Sequence, residues 1–315
     1  MFKIVTFTDI HLADKNPASR IDDYTESILN KLEQAKDICV ERDIDLALCG
    51  GDIFHIKTPT KNSHYLVSKT IDIFKSFPCP VYSIYGNHDL RQDNINTLPR
   101  QPFYTLLRSG AINYLYDTTF NEGSIRVFGM DYCSFPSEEE FNKEKKGEKI
   151  QVCLAHVNAS SKFSDLFGEK VYRYQDLQYT SPDVFVFGHY HPDQGIEEHN
   201  GKFFVNVGSI SRGSLKKDEL DRIPNLGYIE IDNNFNITCE KIPLNVLSAE
   251  SIFDLEMKDK EEKEQAEIEK FIIEMKDKIT ISKSDDIGKK IQSLEKDFEK
   301  SIIDKAMYYY LEKGE

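Results

Sequence analysis

Five short apolar runs in this chain each end in a side chain able to hold a metal ion, and that coincidence restricts the fold more than any other feature. The run from Phe2 to Thr8 leads into Asp9-Ile10-His11, and Leu46 to Cys49 leads into Gly50-Gly51-Asp52. Val81 to Tyr85 precedes Gly86-Asn87-His88-Asp89, Ile150 to Ala155 precedes His156, and Val184 to Phe187 precedes Gly188-His189-Tyr190-His191. In open α/β architectures ligands gather beyond the carboxyl ends of strands, so five distant segments can share one pocket. Carboxylates, an amide oxygen and imidazoles form a donor set suited to manganese, iron or zinc. Taken singly, Asp9-x-His11 reads as a loop or cap pair, Asn87-His88-Asp89 as a turn, and His156 as a satisfied core histidine. Their joint occurrence, each directly after an apolar strand, points instead to a site. Glycines 51, 86 and 188 are expected to permit the tight turns that swing the next side chain over the strand ends.

In the first half, β-branched or aromatic runs alternate with helix-period segments, the pattern of parallel strands joined by helical crossovers. Ile21, Tyr24, Ile28, Leu32, Ala35 and Cys39 recur at spacings of three and four and predict one apolar helix face. A second helix is expected over about 61–77. Later strands are predicted at Ile125 to Met130, Phe203 to Val207, Leu226 to Ile231 and Ile237 to Ile242. Fewer helices separate the later strands, so the second sheet is expected to be more antiparallel. Composition changes near Asn245: the 62 residues from Asp254 to Glu315 hold 18 acidic and 13 basic side chains. Within them Ile268, Phe271, Ile272, Met275 and Ile279 form one helical stripe, and Ile287, Ile291, Leu294, Phe298 and Ile302 form another. The expected division is a domain over 1–245 and a helical region over 246–315.

Composition removes several function classes. No run of about 18 apolar residues occurs, and the opening MFKIVTFTDI lacks the basic start and long apolar stretch of a secretory signal, so neither membrane spanning nor export is expected. The six cysteines are far apart with no CxxC pair, and read as reduced core thiols of a cytoplasmic protein. A formal net charge of −14 argues against sequence-independent DNA binding by bulk charge. There is no Ser/His/Asp order and no Gly-rich phosphate loop carrying Lys, which excludes covalent hydrolysis and NTPase chemistry.

The ordered series Asp9-x-His11, Gly51-Asp52, Gly86-Asn87-His88-Asp89, His156 and Gly188-His189-x-His191 resembles the calcineurin-like metallophosphoesterase superfamily over about the first 245 residues. The resemblance implies a four-layered α/β/β/α sandwich, here with a C-terminal helical appendage. It also implies two divalent cations, with manganese the expected ion. Asp9, His11, Asp52 and His191 would hold one and Asp52, Asn87, His156 and His189 the other, so that Asp52 bridges. Two such ions activate water and clamp the phosphoryl oxygens, and no enzyme nucleophile is then needed. His88 would donate a hydrogen bond or a proton to the substrate, a task suited to an imidazole.

Gly51-Asp52-Ile53-Phe54-His55 and Gly188-His189-Tyr190-His191-Pro192-Asp193-Gln194 are similar to the SbcD-type DNA nuclease subunits, including phage-encoded relatives. That likeness implies that His55 acts beside His88 at the substrate phosphate. It further implies that Ser209 or Arg212, in Asn206-Val207-Gly208-Ser209-Ile210-Ser211-Arg212, approaches a phosphate. The expected partners are DNA, an SbcC-like coiled-coil ATPase docked on the C-terminal helices, and a second copy of the chain. About 70 residues follow the last predicted strand, little room for a DNA-capping domain, so a reduced cap or a partner would have to supply end recognition. The alternative is a stand-alone phosphatase or phosphodiesterase acting on small nucleotides or phosphoproteins. A binding module without turnover is disfavoured by the complete ligand set.

Overall fold

The computed structural model describes residues 1–256, apart from 133–135, 163–164, 167–168 and 216. The two C-terminal stripes, Ile268 to Ile279 and Ile287 to Ile302, and Cys133 lie outside the described residues. The chain divides into two compact units, Met1–Ile252 and Phe253–Glu315, and the architecture below is that of the first.

Two six-stranded sheets face each other. The first has the order β16 (Ile237–Pro243), β15 (Asn225–Ile231), β1 (Phe2–Phe7), β2 (Leu46–Cys49), β3 (Val81–Ser83) and β4 (Asn113–Tyr114). The second runs β13 (Gly195–His199), β14 (Lys202–Asn206), β12 (Val184–Gly188), β7 (Ile150–His156), β6 (Ile125–Met130) and β5 (Asp117–Phe120). The central strands of both are parallel: β1, β2, β3 and β4 in the first, and β14, β12, β7 and β6 in the second. Antiparallel pairing is confined to β15 and β16 in one sheet and to β13 and β5 in the other. The second sheet is therefore no more antiparallel than the first. Its crossovers are made of irregular chain, the short strands β8 (Ala159–Ser160), β9 (Asp165–Leu166), β10 (Glu169–Lys170) and β11 (Tyr172–Arg173), and the one-turn helix α4 (Tyr174–Leu177).

Period-two alternation distributes the apolar residues into three cores. Ile4 of β1 and Leu46 and Leu48 of β2 point inward, against Val152 and Leu154 of β7 and Val184 and Val186 of β12. On the outer face of the first sheet, Val5, Phe7, Ala47 and Cys49 pack beneath α1 (Tyr24–Glu41), α2 (His64–Lys75) and α3 (Pro102–Ser109). The outer face of the second sheet carries Phe128, Phe185, Phe187 and Phe204. Tyr174 of α4 stacks on Phe204 at 4.6 Å between ring centroids, and Phe185 on Phe204 at 4.9 Å. The four layers are thus present, but aromatic stacking under a single helical turn replaces full helices in the outermost one.

Local signals explain the helices. The Asp23 carboxylate caps α1 by accepting from the Glu26 N–H, and the Ser63 hydroxyl caps α2 through Leu66. Tyr24, Ile28, Leu32, Ala35 and Cys39 are buried on one face of α1, as their spacing requires. Ile21 is not part of it: it precedes the cap and is exposed. Helix α3 opens on Pro102, whose missing N–H would have no partner in a first turn anyway, and ends on Gly110 in the left-handed region. Cys39, Cys49 and Cys153 are buried free thiols. Among the described residues no helix is long and apolar enough to cross a membrane.

Candidate metal centre

Strands β1, β2 and β3 run parallel side by side, as do β7 and β12, so their carboxyl ends deliver all five motifs to adjoining sheet edges. Close approach between the sheets there depends on glycine. A Cβ on Gly188 would fall onto Thr8 Oγ1 and 2.7 Å from the Gly50 carbonyl oxygen, and one on Gly86 would fall onto Asp52 and 2.6 Å from His156 Nε2. Of the three glycines singled out for tight turns, only Gly51 needs a left-handed backbone, at φ +92°; Gly86 and Gly188 are required for space. Asp9, His11, Asp52 and His189 also have positive φ, between +51° and +88°. For side chains with a Cβ this costs on the order of 1–2 kcal/mol each. Main-chain bonds offset the cost: Asp9 N–H to Gly51 O at 3.2 Å and His11 N–H to Asp52 O at 2.9 Å.

The side chains meet in two groups that share Asp52. His11 Nε2 lies 2.9 Å from His191 Nε2, 3.9 Å from Asp9 Oδ1 and 3.7 Å from Asp52 Oδ2, while His191 Nε2 is 3.6 Å from Asp9 Oδ1. On the other side His156 Nε2 is 3.5 Å from the same Asp52 oxygen and 3.4 Å from Asn87 Oδ1, which is in turn 3.2 Å from His189 Nδ1. Metal–donor bonds of about 2.0–2.2 Å place neighbouring donors about 3.0–3.4 Å apart, so these separations are close to the edges of coordination polyhedra.

Partners on the far side of three of the rings, those of His156, His189 and His11, fix which nitrogen carries the proton. His156 Nδ1 donates to the Gly50 carbonyl at 2.6 Å, leaving the Nε2 lone pair towards Asp52 and Asn87. His189 Nε2 donates to the Glu169 carboxylate at 3.0 Å, leaving the Nδ1 lone pair towards Asn87. His11 Nδ1 lies 3.3 Å from His55 Nδ1, so a proton shared there leaves Nε2 facing His191. Carboxylate, amide and imidazole groups therefore converge at ligand spacing, an arrangement that a cation satisfies. Electrostatics agree. Burial acts to raise the Asp52 carboxyl, but His156, His11 and His88 outweigh it and hold it below the usual carboxylate range. Burial acts to lower His156, yet Asp52 pulls it up to about 9. The field that draws a proton onto His156 is one that a divalent cation would take over.

Residues outside the expected ligand set hold the centre in shape. Asp89 is buried and accepts from the N–H groups of Asp52 at 2.7 Å, Gly86 at 3.0 Å and Ile53 at 3.2 Å, tying two motif loops together. Thr8 Oγ1 donates to Asp9 Oδ2 at 2.6 Å, and the Tyr132 ring packs against those of His156 and His189. Asp89 sits within a motif, but Glu169 and Tyr132 come from chain without periodicity, and no sequence signal marks them.

His88 and His55 flank the centre. The His88 N–H donates to Asp52 Oδ1 at 2.7 Å and its ring Nδ1 donates to the His55 carbonyl at 2.6 Å, which leaves Nε2 for other work. The His55 and His88 rings stack at 5.1 Å. Ser209 and Arg212 do not fit the phosphate-binding task expected of them. Ser209 is fully buried, with Oγ donating to the Asp9 carbonyl at 2.6 Å. Arg212 is also buried, and its guanidinium donates to the carbonyls of Glu219 at 2.8 Å, Leu247 at 3.1 Å and Leu220 at 2.5 Å. Ser209 braces the main chain at Asp9, and Arg212 ties its own segment to the chain at Glu219, Leu220 and Leu247.

Residues 2–193 match the calcineurin-like phosphoesterase family. Among curated relatives, the DNA double-strand break repair protein Mre11 of Archaeoglobus fulgidus is 23% identical over 238 residues, covering 68% of this chain and 51% of that protein. Mre11 of Methanococcus maripaludis is 24% identical over 203 residues, 58% of this chain and 51% of that protein. The chain spans about half the length of these relatives. Among solved structures, a dimetal phosphatase from Danio rerio is similar in fold, with a TM-score of 0.52 at 11% identity over 76% of this chain and 95% of that one. The matched stretch contains all seven convergent Asp, His and Asn side chains, and the chain belongs to the calcineurin-like phosphoesterase family.

Proposed function

We propose that the chain is a metal-dependent phosphodiesterase and a DNA nuclease subunit of the SbcD and Mre11 kind. Asp9, His11, Asp52 and His191 hold one divalent cation, and Asp52, Asn87, His156 and His189 hold the other. The observation that supports this is the position of one oxygen: Asp52 Oδ2 stands 3.7 Å from His11 Nε2 and 3.5 Å from His156 Nε2. When bound, the cations supply Lewis acidity that activates water and neutralises charge on the phosphoryl oxygens. His88, its Nδ1 occupied by the His55 carbonyl, presents Nε2 to protonate the leaving oxygen. His55 holds the proton of His11 on Nδ1 and stacks on His88, keeping both rings in place. A shell of imidazoles with an amide and carboxylates suits manganese better than magnesium, which prefers oxygen ligands and retains its waters.

DNA is favoured as substrate by the sequence likeness to Mre11 proteins, which reaches 68% of the chain for the Archaeoglobus fulgidus protein. The acidic balance means that a DNA track has to come from elsewhere. Residues 246–315 are assigned the task of docking on an SbcC-like coiled-coil ATPase, with a second copy of the chain as a further partner.

A second reading, a stand-alone phosphatase or phosphodiesterase for small nucleotides or phosphoproteins, has one observation in its favour. A cavity of about 810 Å³ opens beside His11, His189 and His191, and Lys15 is the one lysine or arginine among its described lining residues. That volume is in the range of small-molecule sites. Manganese-dependent hydrolysis of linear DNA, compared with nucleoside cyclic phosphates and monoesters, decides between them. Cleavage of DNA supports the nuclease, and fast monoester turnover with intact DNA overturns it.

A further inference from the structure

Each ring assigned to the second cation has its far nitrogen held, but by different means. His156 is fixed by a main-chain carbonyl, that of Gly50, which no side-chain substitution removes. His189 is fixed by Glu169, a half-exposed side chain on β10, outside every motif. The Glu169 oxygen that accepts from His189 at 3.0 Å also accepts from Asn158 Nδ2 at 2.5 Å. Asn158 is buried two residues after His156, and its carbonyl accepts from the Tyr172 N–H at 2.8 Å. The carboxylate is thus aimed from a rigid base.

We propose that Glu169 is a positioning residue: it keeps the proton of His189 on Nε2 so that the Nδ1 lone pair faces the second cation, beside Asn87. A carboxylate is a strong acceptor for an imidazole N–H, so it also raises the basicity of the nitrogen that binds the ion. Without it, the far side of the ring loses the acceptor that distinguishes the two tautomers, and the one with its proton on Nδ1 cannot bind through that nitrogen. Glu169 acts on the ion through His189.

This inference rests on the two-cation reading, and calorimetric titration of the full chain with Mn²⁺ separates the two. Wild-type protein is expected to take up two ions. Glu169→Ala is expected to weaken one of the two sites about 10–100-fold and leave the other unchanged. Glu169→Gln, whose amide oxygen still accepts, should fall between the two. Glu169→Gln keeps an acceptor for Asn158 and should match the metal-free melting temperature of the wild type, whereas Glu169→Ala removes it and should melt somewhat lower. Wild-type affinity at both sites in Glu169→Ala overturns the positioning role, as does an equal loss at both. Uptake of a single ion by the wild type overturns the two-cation reading itself.

Discussion

The His156 ring bonds across the molecule to Gly50: its Nδ1 on β7 of the second sheet donates to the carbonyl that follows β2 of the first, over 2.6 Å. One contact therefore joins the sheets and sets the tautomer of a residue in the metal centre. It is possible only where glycine lets the chains approach. Gly188→Ala should accordingly cost on the order of 1–3 kcal/mol through clash with Thr8 and the Gly50 carbonyl. Metal affinity should fall with it. Urea denaturation measures the first and Mn²⁺ titration the second; a variant equal to wild type in both would contradict the close approach.

Asp52 and His88 should separate in their effects. Asp52→Ala is expected to abolish turnover and weaken both ions, because one carboxylate serves both groups. His88→Ala should retain wild-type metal content while turnover falls about 10²–10⁴-fold, the usual worth of a positioned acid. Metal analysis of the two purified variants checks this, and equal metal loss would contradict the roles.

Arg212 makes the opposite case. Its substitution by Ala would take the donor from one buried carbonyl, that of Glu219, and from two part-buried ones, those of Leu220 and Leu247, and should destabilise the fold by on the order of 1–3 kcal/mol. The Michaelis constant for a phosphodiester substrate should not change for the molecules that remain folded. A raised Michaelis constant with unaltered stability would restore a phosphate-binding role.

These cases show what the sequence made legible. The convergence of the seven Asp, His and Asn side chains was readable because each follows an apolar run whose strand end is a fixed place in the fold. Glu169 was not, since its position depends on a hairpin whose residues carry no period. Ser209 and Arg212 lay beside a motif, but the direction in which their side chains point is decided by burial, which local sequence does not record. The parallel character of the second sheet was hidden for a related reason: its crossovers lack the helical stripe that announces parallel pairing in the first.

Lys31 predicts a pH dependence away from the metal centre. Burial first, then Arg20, Arg212 and Arg222, lower its ammonium to about 7 from 10.5, with Asp22 opposing. Between those values the unfolded chain binds a proton that the folded chain does not, so this group makes stability rise with pH across that window. Below about 7 both states are protonated and the penalty is full. Lys31→Met should therefore stabilise the protein at neutral pH, by on the order of 1–3 kcal/mol, and flatten the rise. Denaturation at pH 7 and pH 9 tests this; an unchanged slope would contradict it.

The sharing of Asp52 between two ions is tested most directly by the electron paramagnetic resonance spectrum of the Mn²⁺-loaded protein. Two ions joined by one carboxylate are magnetically coupled, so the wild type should show an exchange-coupled spectrum that disappears in Asp52→Ala. A wild-type spectrum of isolated, uncoupled Mn²⁺ would contradict the bridged centre.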